Sequence, residues 1–376
     1  MKLKPKITIA DHFDLIEDPR IERTKLHDLN DIITIAICAV ICGADTWVDI
    51  QEYGKSKQKW LKKILKLSNG IPSHDTFSRV FARINPEQFQ SSFINWIQSI
   101  SNLTEGEIVA VDGKALRHSY DKSKDKAAIH MISAWATNAR LVLGQLKVND
   151  KSNEITAIPE LIKLLSLKGC IVSIDAIGCQ KTIVKQIVEQ EADYIIALKK
   201  NQKNLYNEVE AIFRNAVISK YKGYKHTEYR LVDESHGRTV TRYYSVLNNV
   251  GHLVDPKNEW ANLNSIGKVD TLRIANGKIK LESRYYILSV NRNAEFFGNS
   301  IRSHWQIENC LHWVLDVQFH EDDSRIRKDN APANFAVLRH IAHSLLTQEK
   351  SLNTGVSNKR KKAGWDDKYL LNVLTI

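Results

Sequence analysis

Apolar residues recur at helical spacing through the first hundred residues of the chain. Phe77, Phe81 and Ile84 are one example, four and three residues apart, and Ser73 precedes them in a position to cap a helix. Residues 32–44 form a 13-residue apolar run, shorter than the roughly 18 residues needed to cross a membrane. The pattern predicts a helical N-terminal segment with a buried helix at residues 32–44.

The pattern changes at residue 107, where short apolar runs typical of strands begin to alternate with helical stretches. Three strands are predicted first, the second and third joined as a hairpin near residue 138, and then helix, strand, helix and strand up to residue 200. This order predicts an α/β domain with a mixed sheet flanked by helices.

The pattern weakens after residue 204. Strands are predicted at residues 239–247, 270–275 and 278–290, separated by polar linkers, which indicates a separate β-rich segment. A helix is predicted from residue 299 to 319 and another from 334 to 348. A basic tail follows.

Composition narrows the class of partner. The chain has 376 residues, 54 Lys and Arg against 43 Asp and Glu, and a net charge of +11. A positive surplus favours a polyanionic partner, nucleic acid first, although a basic protein without such a partner has the same composition. A lysine-rich stretch at residues 55–66 makes the N-terminal segment a second candidate for DNA contact.

The five cysteines show no CxxC spacing, so no zinc cluster or disulfide framework can be read from them. The N-terminus lacks the apolar centre of a signal peptide. We therefore expect a cytoplasmic protein without membrane contact. The sequence contains no GxSxG or P-loop motif, and His226, His236 and His252 lack HExxH spacing, so no histidine metal ligand is expected.

Two acidic residues follow apolar strands of the predicted sheet. Asp112 follows Val111, and Asp175 follows Ile174. Active sites of α/β sheets lie beyond the carboxyl ends of strands, but an Asp in this place also caps ordinary turns. Three lysines near the same sheet edge are candidate phosphate contacts: Lys114, Lys199 and Lys200.

Clustered carboxylates are the ligands that Mg²⁺ prefers, and two such ions stabilise both oxygens of an in-line phosphoryl displacement. Two ions need about three acids. Glu308 is the candidate for the third, on a helix where His304, Glu308 and His312 form a polar stripe. The stripe is equally typical of a solvated face. Four acids downstream are rivals: Asp316, Glu321, Asp322 and Asp323.

Several blocks of the sequence resemble, in the same order, those of bacterial insertion-sequence transposases of the DDE type, in the branch of the H-repeat-associated proteins. They are VDGKALR, SIDAIGCQ, ALKKNQ, ESHGR, IRSHWQIENCLHWVLDVQFHEDDSR and NFAVLRHIAHSLL. DHFDLIEDPR and IPSHDTFSRVF resemble the N-terminal region of that branch, so the resemblance covers nearly the whole chain.

The resemblance implies an RNase H-like fold with a β-rich insertion before the last catalytic helix. On that basis we expect a helical N-terminal domain at residues 1–104, a catalytic domain at 105–204 and 285–350, an insertion at 205–284 and a basic tail at 351–376.

The resemblance also implies function. Asp112, Asp175 and Glu308 correspond to the family's catalytic acids. We expect them to bind two Mg²⁺ ions, which Mn²⁺ can replace, for cleavage and strand transfer of DNA. The expected partner is DNA, at element ends and target, on the bacterial nucleoid, with a homodimer assembled there.

One departure from the family pattern concerns phosphate contacts. Related transposases carry a Tyr and an Arg before the catalytic Glu and a Lys after it, where this chain has Ile301, His304 and Leu315. Arg302 is the candidate replacement for the Arg. Two alternatives stay open: an RNase H-like nuclease without strand transfer, and a domesticated DNA-binding protein without catalysis.

Overall fold

The described part of the first hundred residues is largely helical, as predicted. The computed structural model describes residues 8–120, 127–148, 153–235, 238–276 and 278–376, so His236 in the ESHGR block lies outside the described residues. Within the described residues, six α-helices precede the first strand: α1 (Thr8–Asp11), α2 (Leu29–Ile41), α3 (Trp47–Ser56), α4 (Gln58–Leu61), α5 (His74–Arg83) and α6 (Pro86–Ile100).

Side-chain caps mark where α2 and α5 begin. The Asp28 carboxylate accepts a hydrogen bond from the Asn30 backbone N–H at 2.9 Å at the start of α2. The Ser73 hydroxyl accepts one from the Thr76 N–H at 3.3 Å at the start of α5, as expected. Residues 31–41 of α2 are all buried, which confirms the predicted buried helix. Among the described residues, no helix combines the length and apolar character needed to cross a membrane.

The centre of the protein is a mixed sheet. Its first elements, in chain order, are β1 (Ile108–Ala115), β2 (His130–Ala136), β3 (Leu141–Lys147), α7 (Glu154–Leu164), β4 (Ile171–Ile174), α8 (Lys181–Glu189) and β5 (Asp193–Leu198). β1, β2 and β3 pair antiparallel, and β4 lies parallel between β1 and β5. The spatial order β3-β2-β1-β4-β5 is RNase H-like, as expected.

The sheet continues through the β-rich segment. Its elements are α9 (Lys203–Ile218), β6 (Lys225–Ser235), β7 (Arg238–Asn248), α10 (Gly251–Val254), β8 (Ser265–Ala275) and β9 (Lys278–Leu288). β9 pairs with β8 along its length, and its last four residues, 285–288, also pair with β5. The nine strands therefore form one sheet. The strands β7, β8 and β9 were predicted from the sequence, whereas the helix α9 and the strand β6 were not.

The chain ends in helices that cover the sheet. They are α11 (Ala294–His304), a π-helical turn (Ile307–His312), α12 (Trp313–Gln318), α13 (Ala331–Gln348), α14 (Val356–Trp365) and α15 (Asp367–Leu374). α13 confirms the helix predicted at residues 334–348. The prediction of one unbroken helix at 299–319 is wrong, because the helical hydrogen bonding changes register at residues 305–312.

Residues 351–376, expected as a basic tail, fold onto the protein. Two of their basic side chains are buried: Lys359 donates to the Leu346 carbonyl at 2.9 Å, and Arg360 donates to the Val40 carbonyl at 3.0 Å. The apolar side chains of Leu370 and others on α15 bury against the core and hold the segment there. The four domain boundaries stay predictions.

Candidate metal centre

Asp112 lies within β1 rather than at its end. β1 continues to Ala115 because its antiparallel pairing with β2 extends that far, which corrects the expected strand end at the acid. The parallel pairing with β4 stops earlier, at Val111 and Ile174. Asp112 is therefore the first residue of β1 beyond the end of its parallel pairing with β4. It lies at the edge of the sheet where β4 has ended.

Asp175 follows β4 at the same edge. One of its carboxylate oxygens accepts a hydrogen bond from the Ile177 N–H at 3.0 Å and so caps a short 3₁₀ turn at Ala176–Gly178. Asp112, Asp175 and Glu308 line one cavity of about 650 Å³. Asp175 therefore caps a turn, which was one interpretation of the sequence, and also lines the same cavity as Asp112 and Glu308.

Glu308 reaches this cavity from the π-helical turn. The turn is short, and π-helical turns inside helices occur frequently at functional sites. The Glu308 side chain is 52% exposed, so its carboxylate is free to adjust to a ligand.

His312 forms a cluster with Asp112 and Glu308, although no role was predicted for it from the sequence. Its side chain is only 4% exposed. Its Nδ1 atom lies 3.7 Å from Asp112 Oδ2 and 3.6 Å from Glu308 Oε2. One ligand atom from each of these three residues falls within 4.8 Å of the others. The four-residue spacing of Glu308 and His312 was the available signal.

The carboxylates destabilise one another in the absence of a cation. Burial raises the pKa of Asp112 to about 7, and the negative charges of Glu308 and Asp175 add to the rise, against a hydrogen bond from the Gly113 backbone. Burial also lowers the pKa of His312, which favours the neutral imidazole. Oxygen ligands that are hard to ionise together fit a site for a divalent cation.

The raised pKa predicts an unusual pH dependence of stability. The ordinary pKa of Asp112 is 3.8, so between about pH 4 and 7 the folded protein holds a proton that the unfolded chain releases. Metal-free protein should therefore lose roughly 3 kcal/mol of unfolding free energy as the pH rises through this window. Urea unfolding in EDTA at several pH values, for wild type and Asp112→Asn, measures this as the difference between the two curves. Parallel curves would contradict it.

The rival acids are engaged elsewhere. Lys114 Nζ lies 2.8 Å from Glu321 Oε2 and also pairs with Asp316. Asp322 pairs with Arg117 at 3.2 Å, and Asp323 lines a different cavity, beside α5.

The four expected phosphate contacts lie in different surroundings. Lys114 is 13% exposed and held between two carboxylates. Lys199 and Lys200 line the cavity of the acids, with Lys200 Nζ 5.9 Å from the centre of the Tyr206 ring. Arg302 lies in the neighbouring groove, where its Nη1 is 3.7 Å from Asp233 Oδ1.

This neighbouring groove, which we call the basic groove, has a volume of about 590 Å³ and shares residues such as Arg284 and Trp305 with the cavity of the acids. It is lined by five cationic side chains against two acidic ones. The cationic residues are Arg242, Arg273, Lys280, Arg284 and Arg302, and the acidic ones are Asp233 and Glu282. The half-exposed indole of Trp305 lies where the two cavities meet. The surface leading to the acids is therefore positively charged.

The strand order, with acids at the carboxyl edge of its parallel strands, defines an RNase H-like protein. Its family follows from sequence: the chain belongs to the family described as "Transposase DDE domain", which matches residues 103–345. A domain described as DDE_Tnp_1-associated matches residues 10–97. The predicted family is confirmed.

Similar proteins agree. A relative from Escherichia coli K12, named "H repeat-associated putative transposase YhhI", is 42% identical over 370 residues, 97% of each chain. YncI of E. coli O157:H7, also named as a transposase, is 42% identical over 98% of this chain and 94% of its own. A short E. coli K12 relative named inactive transposase, YbfQ, is 39% identical over 75 residues, 20% of this chain and 89% of its own.

A similar solved structure is the piggyBac transposase in a synaptic complex with hairpin DNA. It is 10% identical, covers 95% of this chain and 75% of its own, and has a TM-score of 0.38.

Proposed function

We propose that this transposase cleaves the DNA ends of its own element and joins them to target DNA. The observation that carries the proposal is that Asp112, Asp175 and Glu308 line one cavity at the sheet edge. Asp112, Asp175 and Glu308 would hold two Mg²⁺ ions, replaceable by Mn²⁺, which stabilise charge on the attacking and leaving oxygens of a phosphodiester.

The chain's own residues position the DNA. Water attacks the phosphorus at the element end, the bond to the 3′ oxygen breaks, and the released 3′-hydroxyl remains in the cavity. That hydroxyl then attacks a target phosphodiester in the same in-line manner. No protein nucleophile is required. Lys199 and Lys200 line the cavity and are proposed to contact phosphates there.

The basic groove is proposed to hold the DNA that leads to the acids. Arg273 and Lys280 are cross-strand partners on β8 and β9, and Arg302 faces the same groove from α11. The buried pairing of Lys114 with two carboxylates supports a structural role for that residue instead of a phosphate contact. Joining two ends to one target is proposed to use two copies of the protein on the DNA.

We expect the basic groove to make DNA binding sensitive to salt. We expect Arg273→Gln/Lys280→Gln to lower the slope of log affinity against log salt by about two, since each lost phosphate contact removes about one. Fluorescence anisotropy over a salt series measures the slope. Lys163→Gln/Lys185→Gln is the control, because these lysines are exposed on α7 and α8 and pair with Glu160 and Glu189. Equal slopes for both variants would exclude the groove as the DNA surface.

The function is tested by incubating purified protein with its flanking genomic DNA ends, a target plasmid and Mg²⁺. Joined donor–target products support the proposal. Cleaved ends without joining would make the protein a nuclease. Binding without cleavage would make it an inactive DNA-binding protein, a state that the name of YbfQ gives to one relative.

A further inference from the structure

His312 is a buried imidazole whose Nδ1 atom faces two carboxylates of the candidate metal centre. Its Nε2 atom is buried and, within the described residues, has no hydrogen-bond partner. Its Nδ1 atom faces Asp112 and Glu308 at 3.7 and 3.6 Å, beyond hydrogen-bond length. A ring nitrogen that faces two carboxylates without bonding to either requires an explanation, and one explanation is an ion bound between them.

We propose that His312 is a nitrogen ligand of a divalent ion shared with Asp112 and Glu308, so that this position binds Mn²⁺ in preference to Mg²⁺. The inference rests on the proposed function, because it assumes that the acids bind metal. It adds a ligand beyond the three acids and a metal selectivity.

The distances fit shared coordination. Atoms bound at about 2.1 Å to an octahedral ion lie about 3 to 4.2 Å from one another. The two separations of Nδ1 from the carboxylate oxygens fall within this range. The widest spacing in the cluster is at most 4.8 Å, and the half-exposed Glu308 side chain has the freedom to close it.

The local backbone holds the imidazole in place. His312 ends the π-helical turn that begins at Ile307, so the same turn presents Glu308 and His312 to Asp112 on β1. The turn is fixed from behind by His343 on α13, whose Nε2 lies 2.9 Å from the Cys310 carbonyl. A ligand on a buried, supported turn loses little freedom on binding an ion.

The mixture of ligands determines the preference. Mg²⁺ is bound through oxygen and keeps several waters, whereas imidazole suits transition metals. Carboxylate oxygen also suits Mn²⁺. Two carboxylates and an imidazole therefore favour Mn²⁺ over Mg²⁺ at this position, while a position with oxygen ligands alone does not discriminate in this way.

The test uses Mn²⁺ as the probe on the full chain without DNA. Electron spin-echo modulation of bound Mn²⁺ should show coupling to a ¹⁴N nucleus. In His312→Asn an amide oxygen takes the place of Nδ1, so the coupling should disappear. The Mn²⁺ affinity from calorimetry should then fall about tenfold or more relative to that for Mg²⁺. His226→Asn is the control, because it removes a largely buried imidazole on β6 that lies outside the cluster, and it should keep the coupling.

The outcomes separate the two proposals. Any one of three results overturns the role of His312 and leaves the proposed DNA cleavage unaffected. They are bound Mn²⁺ without ¹⁴N coupling in wild type, ¹⁴N coupling that persists in His312→Asn, and an unchanged ratio of Mn²⁺ to Mg²⁺ affinity in that variant. If His312→Asn fails to fold, the wild-type spectrum still tests the proposal, because it shows whether bound Mn²⁺ is coupled to ¹⁴N. Absence of any Mn²⁺ binding overturns the metal centre itself, and with it the proposed function.

Discussion

Asp112→Asn should lower the rate of DNA cleavage by at least about 10³-fold while leaving DNA affinity within about threefold of wild type. The carboxylate is a proposed metal ligand, and losing one removes several kcal/mol of charge stabilisation from the transition state, where each 1.4 kcal/mol or so is tenfold in rate. DNA affinity is proposed to depend on the basic groove, whose lining does not include Asp112. Gel assays of end cleavage and anisotropy binding measure the two effects.

Asp193→Asn is the matched control for this variant. Asp193 begins β5 at the opposite end of the parallel strands, where it accepts a hydrogen bond from the Ser289 hydroxyl at 2.7 Å. It should cleave DNA at close to the wild-type rate. Cleavage by Asp112→Asn at the wild-type rate would contradict the role of the acid, and an unfolded variant would make Asp112 a structural residue.

Lys114→Met should destabilise the protein by about 3–5 kcal/mol. Its ammonium lies between Asp316 and Glu321, and Glu321 is only 2% exposed. Removing one partner of a buried pair leaves an uncompensated charge, which costs about this much. Arg339 Nη1, at 3.8 Å from the other Glu321 oxygen, is too far away to replace the lost contact fully. Denaturant unfolding monitored by circular dichroism measures the change.

The control is Lys181→Met, which breaks an equally short pair, 2.6 Å from Glu259, at a half-exposed position. Because this pair is exposed to water, its loss should change the free energy of unfolding far less than Lys114→Met does. A second comparison uses Lys114→Met/Glu321→Gln, which removes the stranded carboxylate charge and should recover part of the loss. If Lys114→Met is as stable as wild type but binds DNA weakly, Lys114 is a phosphate contact after all.

The local patterns were sufficient to predict much of the fold. The hairpin of β2 and β3 depends on residues close together in sequence, and α13 is a long apolar helix. Their predictions are confirmed for that reason. β6 was missed because much of its length is polar and exposed. α9 was missed although its buried residues Leu205, Val209 and Ile212 recur at helical spacing.

The site was harder to predict, because its geometry depends on long-range pairing. The sequence indicated the three acids but not that β1 continues past Asp112, which depends on the partner strand β2. Likewise the break at residues 305–312 is invisible in a sequence with good helical spacing. His312 has the same spacing from Glu308 as His304, and only the folded chain shows that His312 is the one close to Asp112 and Glu308.

The double pairing of β9 has a consequence for how the protein opens. Residues 285–288 bond to β8 on one side and β5 on the other, so their amide hydrogens lie in the middle of a continuous sheet. The four strands from β6 to β9 therefore lack a hinge where they join the central strands, and detaching them would break the bonds between β9 and β5. Native-state hydrogen exchange should show the amides of 285–288 exchanging only in the global opening that also releases β4 and β5. DNA bound in the basic groove, as proposed above, would then be fixed relative to the acids by one continuous sheet.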